Sequence, residues 1–276
     1  MRNFVIGDVH GHYTFLMQLL SKLQLEKDDV VYLVGDILDR APSPEEQRDM
    51  IDWCINNVTN TGQFRMVLGN HEFTALTKIK ASKTASFGSD EIFRDFLLAD
   101  DNSYFLFNFT KDMCIDWNKA ADFFECLPVY YRISVKGTDY IIAHSWVCSD
   151  IGLPIHRLTD GKHDKYIDTE RSVKDRHNYL SQPMGCCIIH GHYPTTMEKF
   201  YAAHNPSSEP IGLKIGRNVN VDTCCFNTVR SGNLTAYCIE DDNFIYLWDK
   251  YDKYASLAGI TRSEVEQMVN SGELKL

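Results

Sequence analysis

The chain has 276 residues, of which 44% are hydrophobic and 24% charged, and its formal net charge is −10. This composition is typical of a globular protein with a sizeable core, and the negative charge excludes nonspecific binding to nucleic-acid backbones. No apolar run approaches the roughly 20 residues that span a bilayer, no signal peptide is evident and the nine cysteines form no CxxC pair, so we expect a cytoplasmic protein with reduced thiols and no membrane partner.

The first predicted strand ends in an acid and an imidazole two positions apart. In NFVIGDVHGHY, residues 3–13, the apolar run gives way to Gly7, Asp8 and His10. Side chains at positions i and i+2 of an extended chain point to the same face, so Asp8 and His10 are expected to be directed at one point. On this stretch alone, a polar turn after the strand explains the same residues equally well.

Predicted strands and helices alternate through the first 72 residues. Apolar, β-branched runs indicate strands, and apolar residues at helical spacing indicate helices. The segments are NFVIGDVHGHY (3–13), a helix over 13–25, VVYLVGDILDR (30–40), a helix over 43–58 and FRMVLGNHE (64–72). Ser43 as N-cap and Pro44 at the first helical position support the second helix. This β-α-β-α-β order predicts an α/β fold.

Polar side chains recur at the C-terminal ends of the later predicted strands. The segment DYIIAHS (139–145) ends in His144, CCIIHGHYP (186–194) in His190 and His192, and NVNVDT (218–223) in Asp222. Functional sites of open α/β folds lie outside the carboxyl ends of their strands, so this recurrence predicts one shared site. Two alternatives remain here: His190 could replace His192 in the site, and Asp222 could serve a structural hydrogen bond.

The remainder of the chain is expected to surround this sheet within a single domain, residues 1–276, because no linker or internal repeat interrupts it. Thr261 and Glu264 form a capping box that predicts a short C-terminal helix. The other parts are a mostly helical flank or cap (73–127), two irregular loops near the site (149–183 and 199–217), a hairpin (233–249) and a C-terminal extension that holds the short helix (250–276).

Six strand-end side chains offer oxygen or imidazole ligands and no thiolate. They are Asp8, His10, Asp36, Asn70, His144 and His192. This set favours Mn²⁺, Fe or Zn²⁺ over an oxygen-bound Ca²⁺ site or a Cys-rich zinc site. Six ligands are too many for one open catalytic ion, but they divide well between two ions about 3.5 to 4 Å apart if Asp36 bridges them. We therefore expect two divalent transition-metal ions, with manganese favoured and iron or zinc as alternatives.

The motifs GDVHG, GDILDR and GNHE, in this order and followed by His144 and GHYP, resemble the phosphoprotein phosphatase branch of the calcineurin-like metallophosphoesterases, especially its compact bacterial and phage members. The resemblance spans residues 3–250. It implies a four-layer α/β/β/α sandwich with a helical segment inserted after the third strand and a dinuclear metal centre at one edge. It assigns Asp8, His10 and Asp36 to the first metal, and Asp36, Asn70, His144 and His192 to the second.

The same resemblance implies catalytic and phosphate-binding roles. His71 would be the general acid that protonates the leaving oxygen, with Asp39 orienting it, while a metal-bound hydroxide attacks from the opposite side. Arg40 would bind phosphate oxygens through its planar guanidinium. A second phosphate-binding arginine is expected in the 149–183 loop, where Arg176 is the candidate and Arg171 the alternative.

The function implied is a phosphoprotein phosphatase for Ser/Thr substrates, with Tyr as a further option, acting on a phosphorylated protein, a peptide or a small phosphate ester. One alternative is a symmetrical diadenosine tetraphosphate hydrolase, but the stretch EIFRDFLLADDNSYF (91–105) lacks the Trp and the Asn-Gly-Gly turn of many compact relatives. Another is a catalytically inactive metal-binding regulatory module, which has no need for His71, Asp39 and Arg40. The sequence leaves the oligomeric state open.

Overall fold

The computed structural model describes residues 1–84, 115–145, 185–197, 201–226, 232–248, 252, 255 and 258–274. Strands and helices alternate in the first part of the chain, and strands predominate in the second. The elements are β1 (Asn3–Ile6), α1 (Tyr13–Leu23), β2 (Val30–Leu33), α2 (Pro44–Asn57), β3 (Phe64–Met66), α3 (Asn70–Thr84), α4 (Trp117–Glu125), β4 (Tyr130–Val135), β5 (Thr138–Ala143), β6 (Cys187–His190), β7 (Leu213–Ile215), β8 (Asn218–Asn220), β9 (Thr235–Cys238), β10 (Asn243–Tyr246) and α5 (Arg262–Ser271).

The strands form two mixed sheets of five strands each. The first has the order β10-β9-β1-β2-β3, in which β1, β2 and β3 are parallel and β9 is antiparallel to β1. The second has the order β4-β5-β6-β8-β7, in which β5, β6 and β8 are parallel and the two edge strands are antiparallel to their neighbours. In each sheet the parallel strands therefore bring their carboxyl ends to one edge.

The two sheets pack face to face, and alternate residues of β1 point into two different buried clusters, one between the sheets and one beneath the helices. Val5 belongs to a buried cluster with Ile142 and Ile189 of the second sheet. Phe4 and Ile6 point the other way, into a cluster with residues of α1, α2 and α4. Each fully buried aliphatic or aromatic side chain of this kind contributes about 1.5 to 3 kcal/mol. The predicted α/β sandwich is thus confirmed.

Two helices begin at the positions that their capping residues predicted. The hydroxyl of Ser43 accepts the backbone N–H of Glu46 at 3.3 Å, and α2 begins with Pro44. Thr261 and Glu264 form the reciprocal capping box at the start of α5. The hairpin of β9 and β10 is also present, and its turn contains Asp241 as expected. In the described part of the chain, no helix is long and apolar enough to cross a bilayer.

Two strands differ from the predictions. The sequence predicts an irregular loop over 199–217, but this segment contains β7, an edge strand of the second sheet. Leu213 and Ile215 of β7 are buried in a cluster on the outer face of that sheet. β4 was not predicted, because its residues alternate between half-buried and exposed and lack a strong apolar run. The 149–183 loop and residues 85–114 of the helical flank lie outside the described residues, and the assignment to a single domain stays a prediction.

Candidate metal centre

The polar residues that follow the parallel strands meet at one edge of the two packed sheets, where the carboxyl ends of those strands lie. Two glycines permit this close approach. A Cβ atom on Gly191 would lie 2.0 Å from Oδ1 of Asp8, and one on Gly69 would lie 2.4 Å from Oδ1 of Asp36. Any larger residue at either position would therefore displace a carboxylate. These glycines therefore allow the carboxylates to pack closely against the backbone, in addition to allowing turns.

Asp36 lies in the middle of this centre. Its Oδ2 is 3.9 Å from Nε2 of His10 and 3.7 Å from Nε2 of His71. Its Oδ1 is 3.4 Å from Nε2 of His144. Asp36 thus belongs to two groups of ligand atoms, each with all atoms within 4.8 Å of one another: His10, Asp36 and His71 in one, Asp36, His144 and His192 in the other. This geometry offers two cation sites that share one carboxylate.

Three possible ligand atoms lie together beside Asp36: Nε2 of His144, Oδ1 of Asn70 and Nδ1 of His192. Nδ1 of His144 donates to the carbonyl of Val34 at 2.8 Å, so its Nε2 carries a lone pair. That Nε2 lies 2.8 Å from Oδ1 of Asn70 and 2.9 Å from Nδ1 of His192, and the last two atoms are 2.7 Å apart. One proton satisfies a single pair of these atoms, whereas a metal cation satisfies all three. The donor set therefore fits a bound transition metal.

Burial holds three of the imidazoles in the neutral form, which is the form that binds metals. Desolvation lowers the pKa of His10 and of His144, and it lowers the pKa of His192 to about 3. His10 also donates from Nδ1 to the carbonyl of Leu38 at 3.0 Å, which leaves its Nε2 lone pair to accept from Nη1 of Arg40 or to bind a cation. His10 and His144 are thus oriented through Nδ1, as is usual for histidine ligands.

His71 has the opposite protonation behaviour. Its Nδ1 hydrogen-bonds to the carboxylate of Asp39. Burial disfavours the charged ring, but Asp36 and Asp39 outweigh it and raise the pKa of His71 to about 9. At neutral pH this ring is therefore a proton donor, in contrast to the neutral His10 beside it, whose ring centroid lies 5.0 Å away.

Burial makes the ionisation of two carboxylates at the centre unfavourable. Burial raises the pKa of Asp8 well above its ordinary value, with further contributions from Asp222 and Asp36, and burial raises the pKa of Asp222 to about 7. Both carboxylate oxygens of Asp8 accept the backbone N–H of His192, with N···O distances of 3.2 Å to Oδ1 and 3.0 Å to Oδ2. Asp222 accepts the N–H of Cys224 at 2.9 Å, so it both adjoins the centre and makes a structural hydrogen bond. Divalent cations would stabilise the ionised forms of these groups.

The loop after β2 is held from two sides. Glu72 accepts four backbone N–H groups, two on each oxygen: those of Asp36 (2.8 Å) and Gly69 (3.1 Å), and those of Ile37 (3.0 Å) and Leu38 (3.1 Å). From α2, Gln47 accepts the N–H of Asp39 at 2.8 Å and donates to the carbonyl of Ile37 at 3.1 Å. The loop that carries Asp36 and Asp39 is therefore fixed by buried side chains.

This clamping is needed because the backbone around the centre is strained. Of the ten non-glycine residues with positive φ in the described ranges, six lie at the centre or next to it. Positive φ costs about 1 to 2 kcal/mol for residues other than glycine, and such residues persist where surrounding contacts hold them. They are His10, Asp36, Asp39, Arg40, His192 and Cys224.

Arg40 lies against the centre at the end of the same loop. Its Nη1 is 2.9 Å from Nε2 of His10, and its guanidinium carbon is 4.1 Å from the ring centroid of Phe226. Arg176 and Arg171, the candidates for a second phosphate-binding arginine, lie outside the described residues.

The structure brings together all six candidate ligands and the other three candidate site residues, His71, Asp39 and Arg40. In the first group of ligand atoms, however, His71 occurs where the resemblance assigned Asp8. His190 is buried, and among the described residues it belongs to neither group. His12 precedes α1, is 2% exposed, stacks on Phe15 and, among the described residues, belongs to neither group of ligand atoms.

Gln47 and Phe226 contact the centre although neither belongs to a sequence motif. Gln47 lies one residue beyond the capping segment of α2, where polar residues are ordinary, and Phe226 is a single aromatic residue after Cys225. Glu72 lies within the GNHE motif, and its four hydrogen bonds give it a supporting position.

Comparisons with known proteins agree with this geometry. The curated relatives include symmetrical bis(5'-nucleosyl)-tetraphosphatases of Buchnera aphidicola subsp. Baizongia pistaciae, 36% identical over 90 residues (31% of this chain and 30% of the relative), and of Hamiltonella defensa subsp. Acyrthosiphon pisum, 36% identical over 78 residues (28% and 26%). The matched segment thus spans less than a third of the length of these relatives.

Two solved structures share the fold at low sequence identity. A putative diadenosine tetraphosphatase has a TM-score of 0.54 at 15% identity, covering 89% of this chain and 92% of that one. A protein serine/threonine phosphatase from Saccharomyces cerevisiae, with similarity to human phosphatase PP5, has a TM-score of 0.51 at 17% identity, covering 89% and 78%. The family model for calcineurin-like phosphoesterases matches residues 1–226, which include every candidate residue of the metal centre, and the chain therefore belongs to the calcineurin-like phosphoesterase family.

Proposed function

We propose that this protein is a metal-dependent phosphoric monoester hydrolase whose favoured substrates are phosphorylated proteins or peptides. The observation that carries the proposal is the shared position of Asp36 in two groups of ligand atoms, next to the paired side chains of His71 and Asp39. Paired divalent ions that share ligands are a common arrangement for the hydrolysis of phosphate esters.

Two transition-metal ions, with manganese favoured and iron or zinc as alternatives, would be held by the strand-end residues. When bound, they supply Lewis acidity toward phosphoryl oxygens and lower the pKa of water. The neutral amide of Asn70 limits the negative charge at the second site, and this favours the approach of a phosphate dianion. The proposed ligands are Asp8, His10 and Asp36 for the first ion, and Asp36, Asn70, His144 and His192 for the second.

His71 is the proposed general acid. Because Asp39 accepts from Nδ1, the other ring nitrogen, Nε2, carries the proton that can be donated to the leaving oxygen. A raised pKa keeps that proton in place at neutral pH. Asp39 is held in turn by Gln47 through its backbone N–H. The acid is thus oriented by a chain of buried groups that begins in α2.

Arg40 is the proposed phosphate-binding side chain. A guanidinium presents parallel N–H groups that match two oxygens of one phosphate. Its contacts with His10 and Phe226 place it beside the candidate ligands. Arg176, or Arg171 in its place, is proposed as the second phosphate-binding arginine from the sequence resemblance.

The second candidate function is symmetrical hydrolysis of diadenosine tetraphosphate, and the names of the curated relatives favour it. Those relatives match 90 residues or fewer, and both activities use the same metal motifs. A phosphorylated side chain carries about −2 charge. A tetraphosphate bridge carries more negative charge, which a chain with net charge −10 attracts less well. We therefore rank the phosphomonoester first.

The test is a panel of substrates with manganese-reconstituted protein. Phosphopeptides and an aryl phosphate are expected to release inorganic phosphate far faster than diadenosine tetraphosphate yields ADP. Protein with Asp36→Asn, prepared identically, measures contaminating phosphatase activity. Rapid formation of ADP with phosphopeptides left intact would reverse the ranking, and metal binding without hydrolysis of any substrate would favour the inactive regulatory module.

A further inference from the structure

Phe226 contacts two residues of the candidate metal centre without belonging to any of its motifs. Its ring centroid lies 4.1 Å from the guanidinium carbon of Arg40. Its ring also lies 5.0 Å from the His10 ring, at an interplanar angle of 88°. Phe226 is half-buried.

The turn that carries Phe226 is held by hydrogen bonds. The carboxylate of Asp222 accepts the N–H of Cys224, whose φ is +62°. The hydroxyl of Thr223 donates to the carbonyl of Asn233 at 2.7 Å, which ties the turn to the start of β9. Cys225 is buried with 1% exposure. The ring of Phe226 therefore follows a stretch of buried and hydrogen-bonded backbone.

The contact with Phe226 affects how Arg40 can act. An arginine side chain has many rotamers, and fixing them on binding phosphate costs conformational entropy. A guanidinium over an aromatic face is attracted to the ring, and its N–H groups at the edge stay available for hydrogen bonds. The stack therefore restricts the plane of the guanidinium before phosphate arrives. Restriction in advance increases affinity because less freedom is lost on binding.

We propose that Phe226 is a positioning residue that holds the Arg40 guanidinium for the substrate phosphate. This inference rests on the proposed function, because it needs a phosphate at the metal centre. Phe226 comes from the turn after β8, whereas Arg40, the proposed phosphate-binding residue, comes from the loop after β2. The two sheets then cooperate in phosphate binding through one aromatic contact.

The experiment compares Phe226→Leu with Phe226→Tyr and Phe226→Trp. Leucine keeps apolar bulk but removes the aromatic face. We expect Phe226→Leu to weaken binding of inorganic phosphate to manganese-loaded protein by roughly 2- to 30-fold, measured by calorimetry, because cation–π contacts are of that strength. KM for an aryl phosphate should rise by a similar factor with kcat unchanged, since the contact is present before and during the reaction. The Tyr and Trp variants should restore binding.

Two controls separate this role from a structural one. In an Arg40→Ala background, Phe226→Leu should have no further effect on phosphate binding, because the residue acts through Arg40. Phe244→Leu removes another half-buried aromatic ring, which packs on Tyr237 in the hairpin, and it should leave phosphate binding unchanged. Metal content is measured for every variant.

The outcomes distinguish the inference from the proposed function. If wild-type protein hydrolyses phosphate esters but Phe226→Leu binds phosphate as tightly as wild type, the assignment of Phe226 is wrong and the proposed function stands. An equal loss in the Arg40→Ala background, or a loss of bound metal, would also overturn it, the latter because Phe226 would then support His10. If wild-type protein neither binds phosphate nor hydrolyses any ester, both proposals fail.

Discussion

Replacing Glu72 by Gln tests whether one buried carboxylate holds the loop of the metal centre. Glu72 is 0% exposed, and each of its oxygens accepts two backbone N–H groups. A glutamine side chain has nearly the same shape, but only one of its two terminal atoms accepts hydrogen bonds. Its amide group would therefore face two N–H donors. The change removes two hydrogen bonds and the negative charge that strengthened the other two.

The size of the effect follows from these contacts. Hydrogen bonds to charged groups contribute about 1.5 to 3 kcal/mol each, so the loss of two costs about 3 to 6 kcal/mol. Part of this cost is offset, because glutamine removes a charge that burial and Asp36 disfavour. We therefore expect the free energy of unfolding to fall by about 1 to 4 kcal/mol, out of the roughly 5 to 15 kcal/mol that is usual for domains. At about 2 to 4 °C for each kcal/mol, the unfolding midpoint should fall by about 2 to 16 °C.

The assay is thermal and urea unfolding at pH 8 in the presence of a chelator, so that bound metal does not change the stability. Burial, with Asp36 nearby, raises the pKa of Glu72 to about 7, so the carboxylate is ionised at pH 8. Glu125→Gln is the matched control, because that side chain is 59% exposed and pairs with Lys80 on the surface. It should change stability by less than about 0.5 kcal/mol. A change equally small for Glu72→Gln would refute the clamping role.

Three further predictions concern metal binding, proton transfer and acid stability. Asp36→Asn should lower the amount of bound metal per chain more than Asp8→Asn does, because Asp36 belongs to both groups of ligand atoms. Metal analysis after reconstitution measures this, and equal losses in the two variants would contradict the shared role of Asp36. His71→Asn should keep both ions yet lower kcat on alkyl phosphates by a factor of roughly 10² to 10⁴. The loss should be smaller on aryl phosphates, because their leaving groups need little protonation. An equal loss on both substrates in steady-state assays would count against the role of His71 as general acid. Hydrogen bonds from Arg2 lower the pKa of Asp29 to about 2, so its stabilisation is complete above the unfolded-state pKa and is lost as the pH falls from about 4 through 2. Urea unfolding at pH 5, 4 and 3 should show the difference between wild type and Asp29→Asn shrinking toward low pH, and a constant difference would refute it.

The candidate residues of the proposed metal centre could be selected from the sequence because each follows a recognisable strand. Asp36 and His144 end runs of buried, apolar residues, and the parallel order of those strands brings their ends to one edge. The N-cap at Ser43 was predictable for a similar reason, since capping is local in sequence. β7 was not, because a three-residue strand in a polar stretch gains its stability from pairing with β8.

Long-range supporting contacts could not be predicted in the same way. Gln47 contacts Asp39, 8 residues away in the chain, and Phe226 contacts Arg40, 186 residues away, while both residue types are ordinary at their positions. The protonation of His71 also depends on contacts between distant residues, since Asp36 and Asp39 raise its pKa only after folding places them beside the ring. Likewise, nothing local in the sequence predicts that the His12 ring is buried and packs against Phe15.

The sequence by itself therefore determined which side chains are candidates for the centre, because strand periodicity and turn residues depend on neighbours a few positions apart. The tertiary structure decided which of those groups share ligand positions, which imidazole holds a proton and which side chains secure the strained loop. Those properties depend on burial and on distances between groups from different strands, and both are set only when the two sheets pack against each other.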